Sequence, residues 1–344
     1  MSLQNEEPKA VIFGFEGTSI SAQERVFFKK HNPFGYIVFA RNLKEPEQIK
    51  NLTSELREIS NNPEVPILID QEGGRVARLK PPYFRKSPPA GLFFAQALQN
   101  LEKAKKAVYI NSRLIAHELS SLGINVDCAP VVDILFPESN EAIVGDRAFG
   151  DTPEMVAALA AEMCRGFQDG GIIPVIKHIP GHGRAQSDSH YNLPEVNAAL
   201  KTLKETDFEA FRRLNKMPWA MTAHITYSAI DEKNPATLSR KIIDLIRNEI
   251  GFSGLLLTDD ISMKALSGSF ASRCKNSLAA GCDVVLHCNG KMEEMEEIAD
   301  NVPSLSTIAM KRLEHGKQFL QAAKPQDDFF AEKWEKELAE LLEE

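Results

Sequence analysis

Ile172-Ile-Pro-Val-Ile-Lys-His-Ile-Pro-Gly-His-Gly-Arg-Ala-Gln-Ser-Asp-Ser-His190 carries the reading of the fold. It starts as a short, continuously apolar run, Ile172–Ile176, and breaks at once into a lysine, three histidines, an aspartate and two glycines. An apolar run without alternation suits a strand buried on both faces of a parallel sheet. A strand that ends in a burst of titratable groups is how a barrel enzyme presents chemistry at the mouth of its sheet. An ordinary surface loop would carry Ser, Asn, Lys and Glu instead of so many groups able to move protons.

Runs of the same kind recur outward from this one, near 10–14, 35–39, 66–70, 124–132, 219–223, 254–258 and 283–287, and with 172–177 they make eight. Amphipathic segments lie between them at 45–60, 101–122, 152–169, 200–215 and 239–250. Eight rounds of strand, polar turn and helix predict an α/β chain folded as a closed (β/α)8 TIM barrel. A doubly wound open sheet is the alternative. It wants a glycine-rich dinucleotide loop after the first strand, and Gly14-Phe-Glu-Gly17 is too short and badly spaced for one. No low-complexity linker divides the chain, so 1–344 reads as a single catalytic domain. A last amphipathic helix, about 327–343, is expected to pack on the barrel through Phe329, Phe330, Trp334, Leu338, Leu341 and Leu342.

Composition narrows the function. The 344 residues are 43% hydrophobic and 26% charged, ordinary for a soluble globular protein. A net charge of −8 without any Lys/Arg-rich run argues against a nucleic-acid surface. Met1–Lys9 lacks the cationic start and apolar stretch of a secretory signal, and no apolar run reaches the length of a membrane span. The five cysteines (Cys128, Cys164, Cys274, Cys282 and Cys288) are odd in number and without CxxC spacing. They read as buried free thiols in a reducing compartment, and hence the protein as cytoplasmic.

Active sites of such barrels lie at the C-terminal strand ends. The third run leads into Asp70-Gln-Glu-Gly-Gly-Arg-Val-Ala-Arg78, an acid beside a Gly-Gly turn with two arginines, which suits charge-assisted binding of a polar ligand. A long loop after the fourth carries Gly145-Asp-Arg-Ala-Phe-Gly150. The sixth ends in Thr222-Ala-His224, the seventh in Leu257-Thr-Asp-Asp-Ile-Ser-Met263 and the eighth in His287-Cys-Asn289. Asp259 shares the inward parity of Leu257, whereas Asp260 suits a helix cap; that both merely cap the next helix is the alternative.

Taken together, Ile69-Asp-Gln-Glu-Gly-Gly-Arg-Val76, Gly145-Asp-Arg-Ala-Phe149, Lys177-His-Ile-Pro-Gly-His-Gly183, Asp188-Ser-His190, Thr222-Ala-His224, Pro235-Ala-Thr-Leu-Ser239 and Thr258-Asp-Asp-Ile-Ser-Met263 resemble glycoside hydrolase family 3. Within it the chain is similar to the β-N-acetylglucosaminidases of the single-barrel type used in bacterial cell-wall recycling. The Asp-Ser-His element separates that subgroup from the β-glucosidases. The resemblance implies retaining exo-hydrolysis of terminal β-linked N-acetylglucosamine from peptidoglycan-derived muropeptides, through a covalent glycosyl-enzyme on Asp259. It implies His190, paired with Asp188, as the acid/base. Asp70, Arg147, Lys177 and His178 would bind the sugar hydroxyls and the region of the N-acetyl group, with Arg78 an outer contact and His182 and His224 supports of the loop and the mouth. The partner implied is a carbohydrate, with no cofactor, metal, nucleic acid or membrane. A monomer is expected, although the sequence fixes neither the oligomeric state nor the aglycone. The chain departs from the family pattern at Arg184, where an acid is common, at Thr258, where serine is common, and at Phe136–Glu141, where a run rich in Asn and Pro is usual.

A histidine donor is workable chemistry. Imidazole titrates near neutrality, so it can give a proton in one step and accept one in the next, and a carboxylate two residues away can orient it. The glycines of Gly181-His-Gly183 are expected to make that loop flexible. Three other readings stay open. Basic groups such as Arg184 allow transfer of the sugar to phosphate. His178, His182, His190 and His224 allow a metal-dependent hydrolase. A non-catalytic sugar-binding barrel is the third.

Overall fold

The computed structural model describes residues 7–189, 191–323 and 329–343. Eight strands build the barrel: β1 Lys9–Phe13, β2 Pro33–Val38, β3 Ile67–Ile69, β4 Val126–Asp127, β5 Ile173–Ile179, β6 Trp219–Thr222, β7 Leu255–Asp260 and β8 Val284–His287; outside it, Glu195–Val196 pairs in parallel with Thr226–Tyr227. All pairs are parallel and the sheet closes on itself in the order β1-β8-β7-β6-β5-β4-β3-β2, the expected (β/α)8 barrel. The strands are apolar on both faces because one face fills the barrel and the other meets helices. Ile12, Val38, Leu68, Val175, Leu256 and Val285 are wholly inaccessible, each burial stabilising by about 1.5–3 kcal/mol.

Helices Pro46–Ser60, Leu101–Ser121 and Pro153–Asp169 fall where periodicity predicts them. Asn100 and Thr152 cap the latter two through their side chains, accepting from the amides of Lys103 and Met155. Segment 200–215 is instead two short helices, Leu200–Glu205 and Asp207–Arg213, broken at Thr206. Segment 239–250 ends in a π turn closed by Gly251 at φ 78°. The fourth strand is much shorter than the run 124–132. Pro130 has no N–H to give a ladder, and the residues around it are held singly, Cys128 N–H donating to Ile69 O at 2.8 Å and Val132 N–H to Lys177 O at 2.7 Å. The last helix, Ala331–Glu343, lies on Leu101–Ser121: Trp334 meets Tyr109 with centroids 5.9 Å apart, and Leu338 is buried. Phe330 does not join that face, being 64% exposed. No described helix is long and apolar enough to cross a membrane. All five cysteines are unpaired, and Cys288 is only partly buried.

Two irregularities shape the mouth. Between β7 and β8, Val284 pairs with Leu257 but Leu286 with Asp260, so β7 holds an extra residue there. Thr258 Oγ1 fills the gap by accepting the Leu286 amide at 2.9 Å. Between β5 and β6 the register shifts between Lys177 and Ile179, where the Lys177–His178 peptide is cis. Bulges of this kind re-aim side chains. They account for successive residues, Lys177 with His178 and Asp259 with Asp260, all reaching one cavity.

Candidate active site

The cavity holds about 240 Å³ at the C-terminal end of the barrel, and Asp70, Arg78, Arg147, Lys177, His178, Asp188 and Asp259 all line it. Seven of the eight residues singled out in the sequence are thereby brought together. The eighth, His190, lies outside the described residues.

Asp259 is 8% exposed, and its Oδ1 accepts the Asp260 amide at 2.7 Å. Burial opposes ionisation, but the imidazoles of His224 and His178, the Asp260 amide and Lys177 together hold its carboxyl below the usual range. Asp260 is occupied differently. Its carboxylate accepts the Ser262 amide at 3.0 Å, the Ser262 hydroxyl at 2.6 Å and the Cys288 amide at 3.2 Å. It therefore ties the β7 exit to the β8 exit. His224 braces the same corner: Nε2 donates to Asp260 O at 3.0 Å, and Nδ1 meets the Thr237 hydroxyl at 2.7 Å. Burial lowers the His224 pKa. The Thr222–His224 and Pro235–Ser239 stretches thus meet in one contact.

Across the cavity the charges alternate. Arg147 clasps Glu72 with two bonds of 2.8 Å, and Glu72 takes Lys177 Nζ at 2.7 Å. Lys177 in turn reaches Asp70 Oδ1 at 2.8 Å, and Asp70 Oδ2 takes Arg78 at 3.1 Å. Lys177 is 3% exposed in its side chain. Burial opposes its charge, but Asp70 and Glu72 outweigh burial and raise its pKa. The same pairing holds Glu72 far below the ordinary carboxylate range and lowers Asp70 despite burial. Glu72 is absent from the sequence-derived set. Its only signal is its place two residues beyond Asp70, where strand parity sends it to the same side.

Asp133 is the second omission. Its carboxylate accepts His178 Nδ1–H at 2.7 Å, the His178 amide at 3.2 Å and the His182 amide at 2.6 Å, which fixes the two histidines from 45 and 49 positions away in the chain. The loop beyond is tied to its neighbours at several points. The Ser139 hydroxyl donates to Gly183 O at 2.6 Å and Tyr227 donates to Gly181 O. Gly183 packs so closely that a Cβ would sit 2.1 Å from Ile134 O. Arg184 is tied to Asp207 at 2.9 Å and Glu138 at 2.7 Å and stacks 3.6 Å over Phe136; it does not line the cavity. Ser189 O accepts the Ala265 amide at 3.2 Å, which docks the loop on the segment after β7.

Beneath this layer lies Asp127, fully buried, accepting the Gln71 amide on Oδ1 at 2.9 Å. Burial, with Asp70 and Glu72 near, pushes its carboxyl up to about 8. The folded protein therefore keeps a proton that the unfolded chain releases near pH 4, and stability falls as pH rises through that window, from about 4 to 8. Asp127→Asn, neutral at every pH, is expected to be more stable than the parent, with a gap that widens from pH 5 to 8 and then levels. Melting curves of both proteins across that range check it; a constant gap would mean the acid ionises normally.

Comparison with known proteins agrees with this geometry. Residues 9–321 match the glycosyl hydrolase family 3 N terminal domain. A β-hexosaminidase of Alkalilimnicola ehrlichii is 35% identical over 308 residues, 88% of this chain and 87% of that one. One from Pseudomonas aeruginosa is 36% identical over 279 residues, 80% of this chain and 81% of that one. Among solved structures, NagZ of Neisseria gonorrhoeae in complex with N-trifluoroacetyl-D-glucosamine superposes with a TM-score of 0.85 at 29% identity, covering 98% of this chain and 99% of that one. A family 3 β-N-acetylglucosaminidase from a Paenibacillus species gives 0.84 at 31% identity, covering 100% of this chain and 68% of that one.

Proposed function

The chain belongs to glycosyl hydrolase family 3, and on that premise we propose that it is a retaining exo-β-N-acetylglucosaminidase, one catalytic domain working in the cytoplasm on muropeptide fragments. The observation that supports this most is Asp259, a buried carboxylate held ionised at the wall of a cavity that alternating charges surround. Its Oδ1 is fixed by the Asp260 amide, which leaves Oδ2 to attack the anomeric carbon. The glycosidic C–O bond breaks, and the departing oxygen takes a proton from His190. In the second step His190 removes a proton from water, whose oxygen displaces Asp259 from the anomeric carbon. Two displacements return the starting configuration. Asp188 is assigned to orient His190. Asp70, Lys177, Arg147 and His178 are assigned to the sugar, with Arg78 behind Asp70. The names of the relatives, β-hexosaminidase and β-N-acetylglucosaminidase, favour the acetamido sugar, and the five unpaired thiols fit a reducing compartment.

Water is favoured over phosphate as acceptor. The cavity presents Asp70, Glu72, Asp133, Asp188, Asp259 and Asp260 against Arg78, Arg147 and Lys177, and each of these cations is already paired with a carboxylate. A metal reading finds less support, because both ring nitrogens of His224 are engaged and no three potential ligands gather among the described residues.

The direct test is release of nitrophenol from its β-N-acetylglucosaminide, side by side with the β-glucoside, in phosphate buffer. The expected product is free N-acetylglucosamine, first formed as the β-anomer, with little attack on the glucoside. Equal rates on the two sugars, or a sugar 1-phosphate, would overturn the reading. His190→Ala should slow disaccharides more than nitrophenyl glycosides, since a nitrophenolate departs without a proton. Equal losses on both would remove it from the acid role.

A further inference from the structure

His182 has no task in the mechanism above, yet it lines the same cavity. It is 4% exposed, and its amide is fixed by Asp133. The ring stands edge-on to His178, with centroids 5.4 Å apart and an interplanar angle of 61°. No protein group among the described residues engages either ring nitrogen, and Nδ1 is sealed from solvent. Burial and the neighbouring His178 push its pKa down to about 4, so the ring is neutral, with one N–H and one lone pair. A buried N–H without an acceptor is worse than a buried lone pair without a donor. The sealed Nδ1 is therefore the bare nitrogen, and the proton sits on Nε2, on the cavity side.

We propose that His182 is a substrate-binding residue whose Nε2–H donates to one uncharged oxygen of the sugar, a hydroxyl or the acetamido carbonyl. The inference rests on the glycosidase reading and adds to it a contact that His178 does not duplicate, because His178 is committed to Asp133 through Nδ1. An anionic group is a poor occupant of that position, since Asp133 and Asp259 already face the ring. An ammonium has no acceptor to offer an N–H.

The test pairs two variants with a panel of nitrophenyl glycosides. His182→Phe keeps a flat ring and the amide bond to Asp133 but removes the donor. His182→Gln returns an amide donor near the position of Nε2. On the parent sugar, kcat/KM is expected to fall about 10-fold in the Phe variant and to recover in large part in the Gln variant. The panel lacks in turn the 3-, 4- and 6-hydroxyl and the acetamido carbonyl. The loss should disappear on one member only, and that member identifies the oxygen. A loss of equal size on every member, or none on the parent, overturns the proposal while leaving the glycosidase reading intact. If the Phe variant does not fold, His182→Met, which also lacks a donor, takes its place over the same panel. Failure of the wild type to cleave any member would instead sink the glycosidase reading itself.

Discussion

Asp259→Ala is expected to lower kcat on an N-acetylglucosaminide by on the order of 10⁴-fold or more, with the melting temperature within a few degrees of the parent. No neighbour can take over. Asp260 lies one residue on, but its oxygens are held by Ser262 and the Cys288 amide. Asp188 lines the cavity from the loop and is the partner assigned to His190. The fold should survive, because Asp259 gives up a single bond, to the Asp260 amide. Azide supplied in solution should enter the space left by the carboxylate and yield the α-glycosyl azide, the product of a single displacement. Asp260→Asn should behave in the opposite sense, losing stability through a weakened tie between β7 and β8 more than it loses turnover. Near-normal turnover in Asp259→Ala, or labelling of another residue by a 2-fluoro sugar, would remove Asp259 as nucleophile.

Lys177→Met is the second large effect. Methionine matches the length of the side chain but takes the charge from between Asp70 and Glu72. Removing one partner of a buried pair typically costs about 3–5 kcal/mol. Each carboxylate here retains an arginine, so the lower end, about 3 kcal/mol, is expected at pH 7. Turnover should fall about 10²- to 10³-fold, as when one preorganised donor is lost. The pH dependence has a definite sign. Asp70 and Glu72 are depressed in the folded protein, so their share of stability is present above about pH 4 and is lost as pH falls through their folded values. The deficit of the variant should therefore shrink on acidification. Adding Glu72→Gln should restore part of the stability without restoring turnover. Urea melts of the three proteins at pH 7 and in steps down to about pH 2 measure this, and identical midpoints at pH 7 would show that the lysine bears no such load.

The barrel was legible because its strands are apolar on both faces, so runs such as Leu255–Leu257 and Val284–Leu286 stand out whatever surrounds them. Helix ends were legible where a capping residue and Pro coincide, as at Thr152-Pro153. What escaped depends on partners distant in sequence. Asp133 looks like one more strand residue until the end of β5 and the turn after it bring His178 and His182 to it. Glu72 acquires its place from Arg147 and Lys177, 75 and 105 positions further on. At Gly181–Gly183 the sequence did not reveal a packing role: the small residues allow close approach to Ile134 and Asp207. Amphipathic spacing misled at Phe330, because the register of the final helix on its neighbour is set by Trp334 and Leu338.

The alternating row from Arg147 to Arg78 has a bearing on how the pocket holds what it is offered. Every cation and anion in it already has an opposite charge beside it before any guest arrives. A hydroxyl entering the row must exchange for an existing attraction, so each new contact brings modest net gain, while a group in the wrong place disturbs two neighbours at once. Such a pocket trades tight retention for stringent choice.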